Sequence, residues 1–128
     1  MKIELLYQGQ KFSIYAVVMN DGSCPAIEFM ETLKKNNPAS FRTLVNIYTR
    51  HAEHGHIKNI RKSRPIETYD SLFEFKSTQN DRLIYFYLLG GKTVISHGFH
   101  SNHKKTMKTE YNKAEAIRTI CIKECENA

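Results

Sequence analysis

Three histidines recur at every third position in one segment of the chain, at His97, His100 and His103. Imidazole titrates near neutral pH, so these side chains could serve general acid–base catalysis, and three histidines could also bind zinc. The sequence around them holds no nearby carboxylate that would orient a zinc ligand. We therefore favour acid–base chemistry over metal binding, and we expect neither a metal nor another cofactor.

Two cations flank a short turn between two strand-like segments. Lys76 follows the alternating run 72–75, and Arg82 precedes the apolar run 83–89. Side chains of a strand alternate between the two faces of a sheet, so burying the aromatic residues of both runs places Lys76 and Arg82 on the opposite face. The two cations should then be neighbours on a face that no helix covers, although a surface lysine and arginine without a function would show the same pattern.

The charge balance favours an anionic partner. Lys and Arg number 19 against 13 Asp and Glu, which gives a formal net charge of +6 at pH 7. The stretches 58–64 and 92–108 contain basic residues and no acid, which indicates a polyanion such as nucleic acid or an acidic protein, although each stretch alone could be a solvated surface. The residues proposed to contact a nucleic acid are Arg61, Lys62, Arg64, His97, Lys104, Lys105 and Lys108.

Composition and motifs exclude several classes of protein. The 128 residues, 41% of them hydrophobic, predict one domain over 1–128 with a packed core. No apolar run approaches the roughly 20 residues that cross a bilayer, and Met1–Tyr7 carries an acid that is untypical of a signal peptide, so we expect a cytoplasmic protein without a membrane partner. Because P-loop, GxGxxG, HExxH and GxSxG motifs are missing, the sequence gives no sign of ATPase, dehydrogenase, zincin or α/β-hydrolase chemistry.

Hydrophobic periodicity predicts which elements must position these residues. The order of elements is ββ-αα-βββ-α, which indicates an α+β fold: an antiparallel twisted sheet with two N-terminal helices on one face and a C-terminal helix. With the helices on one face, the other face of the sheet should be open. The predicted strands cover 2–7, 12–18, 72–76, 82–89 and 92–99, and the predicted helices begin near Pro25, Ser40 and Thr106.

Several short runs stand in the order in which a known family carries its motifs. They resemble the phage-derived HigB branch of the RelE/ParE toxin superfamily, in which a Glu-Leu-Arg strand, an Arg-x-x-Tyr strand and a Gly-Phe-x-Lys-Lys…Lys-Thr-Pro-x-x-Glu segment recur. The resemblance spans roughly residues 12–118. The runs that carry it are 21–25 with 28–33, 52–55, 72–76, 82–86, 97–99 and 105–110 with Ala114.

The resemblance implies a toxin of a type II toxin–antitoxin system. Such a toxin is a metal-independent endoribonuclease that cuts mRNA, usually on the ribosome, and so inhibits translation. A cognate helix-turn-helix antitoxin neutralises it in a toxin–antitoxin hetero-oligomer. Two alternatives stay open: a toxin of the same fold that acts by binding, as ParE-like relatives do to DNA gyrase, and a catalytically silent RNA- or protein-binding domain.

The resemblance also assigns roles to residues, with some departures. Lys76 and Arg82 match the family's cationic positions and would hold the scissile phosphate and stabilise its transition state, although Lys76 replaces an arginine. Ser101 and Asn102 stand where the family has a lysine pair, and Met107 stands where it has proline. The hypothesis is therefore that His100 or His103 takes the acid–base role, with Lys104 and Lys105 holding the RNA.

Overall fold

The structure is a computed structural model that describes residues 1–55, 57–59 and 61–126. Within these residues no helix is both long and apolar enough to cross a membrane. The strands are β1 (Lys2–Gln8), β2 (Ser13–Val18), β3 (Ser63–Ile66), β4 (Tyr69–Lys76), β5 (Asp81–Leu88) and β6 (Lys92–His100). The helices are α1 (Pro25–Asn36), α2 (Pro38–His54) and α3 (Lys104–Cys121), and a π-helical turn, Ile122–Glu126, follows α3.

The six strands form one mixed sheet in the order β1-β2-β6-β5-β4-β3. The strands β3 to β6 form an antiparallel meander, as their short connections predict. In contrast, β2 pairs with β6 in parallel. The prediction of a wholly antiparallel sheet is therefore wrong at this one junction, where two helices separate the N-terminal hairpin from the meander in sequence.

The basic stretch before β4 contains an edge strand that the sequence did not reveal. Ser63 pairs with Phe75 and Arg64 pairs with Glu74, so β3 extends the meander by one strand. Pro65 lies inside this strand, which an edge position tolerates because one side of the strand needs no hydrogen-bond donors. The expected connector is thus partly a sheet edge, and it carries Arg64 onto the sheet.

Helices cover both faces of the sheet, so the expectation of an open face is wrong. The helices α1 and α2 pack on one face, where Leu44 joins a core with Tyr85. The helix α3 packs on the other face, where Ile117 joins a core with Ile84. Every residue from 83 to 88 is apolar or aromatic, and such a continuous run is typical of a strand buried on both faces. These two faces are termed the α1/α2 side and the α3 side.

A β-bulge in β6 changes which side chains share a face. Strict alternation predicts that Thr93, Ile95, His97 and Phe99 lie on one side of the sheet. The register with β5 shifts at Ser96, so that Ile95 stays in the α1/α2-side core whereas Phe99 belongs to the α3-side core. The extra residue of a bulge reverses the alternation beyond it. Beyond the bulge, the side chains of β6 therefore point to the opposite side of the sheet from the one predicted.

The approach of α1 to β6 requires a residue without a side chain at position 98. A Cβ atom on Gly98 would stand 2.2 Å from Cδ2 and 2.6 Å from Cγ of Phe29 in α1. Both distances are far below van der Waals contact, so the Phe29 ring occupies the space that a side chain at position 98 would need. This contact sets the distance between α1 and the sheet.

We expect Gly98→Ala to destabilise the protein by about 1–3 kcal/mol, because the methyl group overpacks against the Phe29 ring. In a Phe29→Ala background the same substitution should cost much less, since the ring that it meets is gone. Urea unfolding of the four proteins in this double-mutant cycle measures both costs. Equal costs in the two backgrounds would show that the Phe29 contact is not the reason for glycine.

Candidate functional site

The residues proposed for chemistry gather at one end of the sheet. Lys76 ends β4 and Arg82 lies opposite it at the start of β5, while Asp81 pairs with His100 at the end of β6. The first turns of α2 and α3 lie at the same end, because Ser40 contacts Asp81 and α3 follows β6 after a short turn. We term this region, with Lys76, Asp81, Arg82 and the segment His100–Lys105, the cationic end of the sheet.

An aspartate–histidine pair lies on the α1/α2 side of this end. Nδ1 of His100 is 2.8 Å from Oδ1 of Asp81, and the His100 side chain is 65% exposed while Asp81 is buried. A carboxylate can only accept, so Nδ1 carries the proton and donates it. Nε2 is left facing solvent without a partner among the described residues. A carboxylate that fixes the tautomer and leaves the other nitrogen free is the arrangement of a general base.

The position of Asp81 is determined by the turn before it and by α2. Its second oxygen, Oδ2, accepts a 2.5 Å hydrogen bond from Oγ of Ser40, in the first turn of α2. The backbone N–H of Asp81 donates to Oγ of Ser77. Asn80 adopts a left-handed conformation with φ of 64°, which asparagine tolerates better than most residues. The N-terminus of α2 also favours a carboxylate here, through the positive end of its dipole.

On the α3 side, a buried carboxylate binds several donors. Oε1 of Glu74 accepts from Nε of Arg64 at 2.8 Å and from Nη1 of Arg82 at 2.6 Å. Oε2 accepts from the hydroxyl of Tyr111 in α3 at 2.8 Å. Burial, with the Glu74 charge beside it, raises the pKa of Tyr111 to about 12, so the hydroxyl stays a donor. Nε of Arg82 also donates to the carbonyl of Ser101 in the β6–α3 turn.

This network corrects the expected role of Arg82. Lys76 and Arg82 are cross-strand neighbours on one face, but α3 covers that face and Arg82 is only 3% exposed. Its guanidinium is neutralised by Glu74, so in this structure Arg82 holds the fold together and does not present its charge to a phosphate. Lys76 is half-buried and has no ion-pair partner among the described residues.

His97 is also enclosed, contrary to its proposed RNA contact. The bulge turns the ring towards α3, and the residue is 2% exposed. Nδ1 lies 2.9 Å from Oγ of Ser96, and Nε2 lies 3.3 Å from Oε1 of Glu110 without forming a hydrogen bond. Burial, reinforced by the charge of Lys113, lowers the pKa of His97 to about 4. His97 is therefore a neutral core residue at physiological pH.

The remaining predicted residues are at the surface. His103 precedes α3, and Lys104, Lys105 and Lys108 project from its first turns. Arg61 and Lys62 are exposed before β3, and Arg64 is exposed although its Nε binds Glu74. The structure thus places His100, His103, Lys76 and the lysines that begin α3 at one end of the sheet, with His100 on the α1/α2 side and Lys76 on the α3 side.

Sequence reasoning missed the two carboxylates that organise this region, Asp81 and Glu74. The expectation that no carboxylate lies near the histidines is wrong, because Asp81 reaches His100 across the β5–β6 pair. A signal for this pair was present, since a meander with short turns brings the start of β5 to the end of β6. Glu74 gave a weaker signal, because its position beside Lys76 is equally typical of an exposed face.

Neither a group of possible metal ligands among the described residues nor a match to a known protein adds to this description. Among residues 1–55, 57–59 and 61–126, no group of three or more His, Cys, Asp or Glu side chains could hold a metal ion. No protein-family model matches the chain, and a search of curated proteins found no match.

We expect Glu74→Ala to destabilise the protein by about 3–5 kcal/mol, because it leaves Arg82 buried without its counter-charge. Glu67→Ala, which removes an exposed carboxylate beyond β3, should change stability by less than about 0.5 kcal/mol. Urea unfolding compares the two variants with the parent. A loss below about 1 kcal/mol for Glu74→Ala would show that the network is not a major contributor to stability.

The buried His97 should make stability depend on pH between about 6.5 and 4. Its pKa falls from 6.5 to about 4 on folding, so the unfolded chain binds the extra proton in this window and stability decreases as the pH falls. At about 1.4 kcal/mol per pKa unit, the loss is on the order of 3 kcal/mol at pH 4. Relative to the parent, His97→Gln should flatten the stability profile over this range. An unchanged profile would exclude His97 as its source.

Proposed function

We propose that this protein is a metal-independent endoribonuclease that cleaves mRNA at the cationic end of the sheet. The single observation that carries this proposal is the Asp81–His100 pair, in which a buried carboxylate orients an exposed imidazole four residues before the exposed lysines that begin α3. The resemblance to HigB-like toxins supports the same reaction class. On that resemblance the protein would act as the toxin of a toxin–antitoxin system and inhibit translation in the cytoplasm, with mRNA on the ribosome as its substrate.

The residues at this end could perform cleavage through the RNA's own 2′-hydroxyl. Nε2 of His100 removes the 2′-hydroxyl proton, and the 2′-oxygen then attacks the adjacent phosphorus. The bond to the 5′-oxygen breaks, and that oxygen takes a proton from a general acid, for which His103 is the candidate. The products are a 2′,3′-cyclic phosphate and a 5′-hydroxyl.

Cations at the same end would stabilise the charge that develops on the phosphorane. Lys104 and Lys105 are the candidates for the scissile phosphate, whereas Lys76 lies on the α3 side of the sheet and would contact only a flanking phosphate. Lys104 and Lys105 begin α3, where the positive end of the helix dipole adds to their charges. Asp81 is a positioning residue here, because it acts only through His100.

The proposed neutralising partner is a cognate helix-turn-helix antitoxin, as the resemblance implies. An acidic segment of such a partner would complement the exposed lysines of the cationic end, where an antitoxin would block access to His100. The resulting hetero-oligomer would hold the toxin inactive until the antitoxin is removed.

A second candidate function is binding without cleavage. The observation that favours it is the neutralisation of Arg82 by Glu74, which removes one of the two cations that the family resemblance assigns to the scissile phosphate. A catalytically silent RNA- or protein-binding domain would need the exposed lysines and no general base. The state of the transcripts after expression separates the two functions: cut transcripts indicate cleavage, and intact transcripts indicate binding.

We expect His100→Ala to lower the rate of RNA cleavage by about 10²–10⁴-fold, the usual contribution of a general base. Asp81→Asn should also lower the rate, because an amide no longer fixes the Nδ1–H tautomer. The measurement is single-turnover cleavage of end-labelled RNA, with and without ribosomes, and detection of the cyclic phosphate.

His100 is exposed, so its substitution should leave the fold intact, and thermal unfolding checks this for both variants. Lys35→Ala, at the exposed end of α1, is the control and should cleave at the parent rate. Full activity of a folded His100→Ala variant would contradict the assignment of the base. Absence of cleavage by the parent protein, both with and without ribosomes, would favour the binding function.

A further inference from the structure

A second basic surface lies along α2, away from the Asp81–His100 pair. The exposed side of α2 and the residues 57–59 with Lys62 form the two walls of an open cleft of about 760 Å³. From Thr43 to His54 the helix wall extends ~16 Å at about 1.5 Å per residue. Lys58 and Lys62 of this cleft belong to the basic stretch 58–64, whereas nothing discussed above accounts for Arg50 and His54 on the helix wall.

Basic side chains line both walls of the cleft. Arg50 and His54 project from α2, and Lys58 and Lys62 project from the opposite wall. All four are exposed, and no carboxylate is among the described residues that line the cleft. The negative end of the α2 dipole explains a histidine in the last turn. It does not explain two lysines on a separate segment facing the helix, so the combined charge points to an anionic ligand.

The other lining residues indicate which anion fits. The remaining side chains are mainly short polar groups such as Thr43, Asn46 and Asn59, and the apolar ones are Ile47 and Ile57. No phenylalanine, tyrosine or tryptophan ring lines the described part of the cleft, so His54 is its only aromatic side chain there. A long, open, basic channel with so few stacking groups suits an extended chain of phosphates better than an isolated nucleotide.

The cleft is continuous with the cationic end of the sheet. Thr43 lies one turn after Ser40, which binds Asp81. The carbonyl of Lys62 accepts a 2.8 Å hydrogen bond from the backbone N–H of Lys76, so Lys62 belongs to both regions. A strand lying in the cleft would therefore reach the end of the sheet where His100 lies.

We propose that this cleft binds the sugar–phosphate backbone of a single-stranded nucleic acid, through Arg50, His54, Lys58 and Lys62. The binding itself is independent of catalysis. Only the identity of the strand as the RNA that His100 cleaves rests on the proposed function. The cleft would hold the part of the strand that lies outside the reacting nucleotide, without reading its sequence.

The test measures binding of a fluorescein-labelled single-stranded DNA of mixed sequence to the full chain by anisotropy, from 0.05 to 0.3 M salt. DNA has no 2′-hydroxyl, so it cannot be cleaved by the proposed reaction. Each phosphate contact to a single strand contributes a slope of about −0.7 to the plot of log affinity against log salt. Removing two contacts with Arg50→Ala/Lys58→Ala should make the slope shallower by about 1.4 and weaken binding about tenfold at 0.1 M salt.

The matched control is Lys2→Ala/Lys35→Ala, which removes the same charge from exposed positions outside the cleft. Its slope should equal that of the parent. Two results would overturn the proposal. An equal change in both double variants would show that binding reflects net charge alone, and no change in the cleft variant would show that Arg50 and Lys58 do not contact the strand. Displacement of the DNA by a poly-glutamate peptide of the same charge at equal concentration would also overturn it, and would assign the cleft to an acidic protein segment.

These outcomes are distinguishable from failure of the proposed function. If the parent protein cleaves no RNA but the cleft variant loses DNA affinity as expected, the binding site stands and the nuclease assignment falls. If RNA cleavage depends on His100 but the cleft variant binds DNA like the parent, the nuclease assignment stands and the cleft proposal falls.

Discussion

Glu74 carries a carboxylate into the α3 side of the sheet, where its side chain has no exposure to water. An isolated charge in such a place would be very unfavourable, and here donors from β3, β5 and α3 converge on it. Through Arg82 the same network holds the carbonyl of Ser101. The turn that carries the chain from β6 to α3 is therefore attached to the core, which limits how far the segment from His100 to Lys104 can move.

This arrangement divides the basic residues into two groups. Arg82 is buried with a counter-charge and serves the fold, and Arg64 shares the same carboxylate at the sheet edge. Among the described residues, no buried acid neutralises the lysines at the start of α3, Lys76 or the basic residues of the α2 cleft. Positive charge is thus concentrated at one end of the sheet and along α2. That concentration is what a polyanion would meet on approach.

Much of the fold could be predicted from the sequence because it depends on local patterns. The apolar stripe of α2 and the turn residues that bound β4, β5 and β6 locate these elements to within a few residues. The edge strand β3 escaped prediction because Arg64 and Pro65 leave no alternation of apolar residues in its four positions. The open face was a wrong expectation, although the unbroken apolar run of β5 indicated burial on both sides.

The candidate site was predictable in part. The adjacency of Lys76 and Arg82 follows from a short turn between paired strands, and the structure has it. Whether each cation is available to a ligand depends on two things. One is where α3 packs, and the other is whether a carboxylate on the same face of the sheet reaches the cation. Neither can be read from a local sequence pattern. The Asp81–His100 pair depends on strand register, and register is a property of two segments together rather than of either one.

The bulge at Ser96 has a consequence for how this protein could change by descent. In an unbroken β6, His100 would project towards α3, away from the buried aspartate that now holds it. In-frame deletion of the Ser96 codon would remove the extra residue and keep the pairing on both sides of it, so His100 would stay opposite Asp81. Deletion of one residue between the bulge and His100 would instead turn His100 towards α3 and away from its carboxylate, while leaving both residues in the gene. The pair could thus be lost by a change in spacing that a comparison of the two residues alone would not reveal.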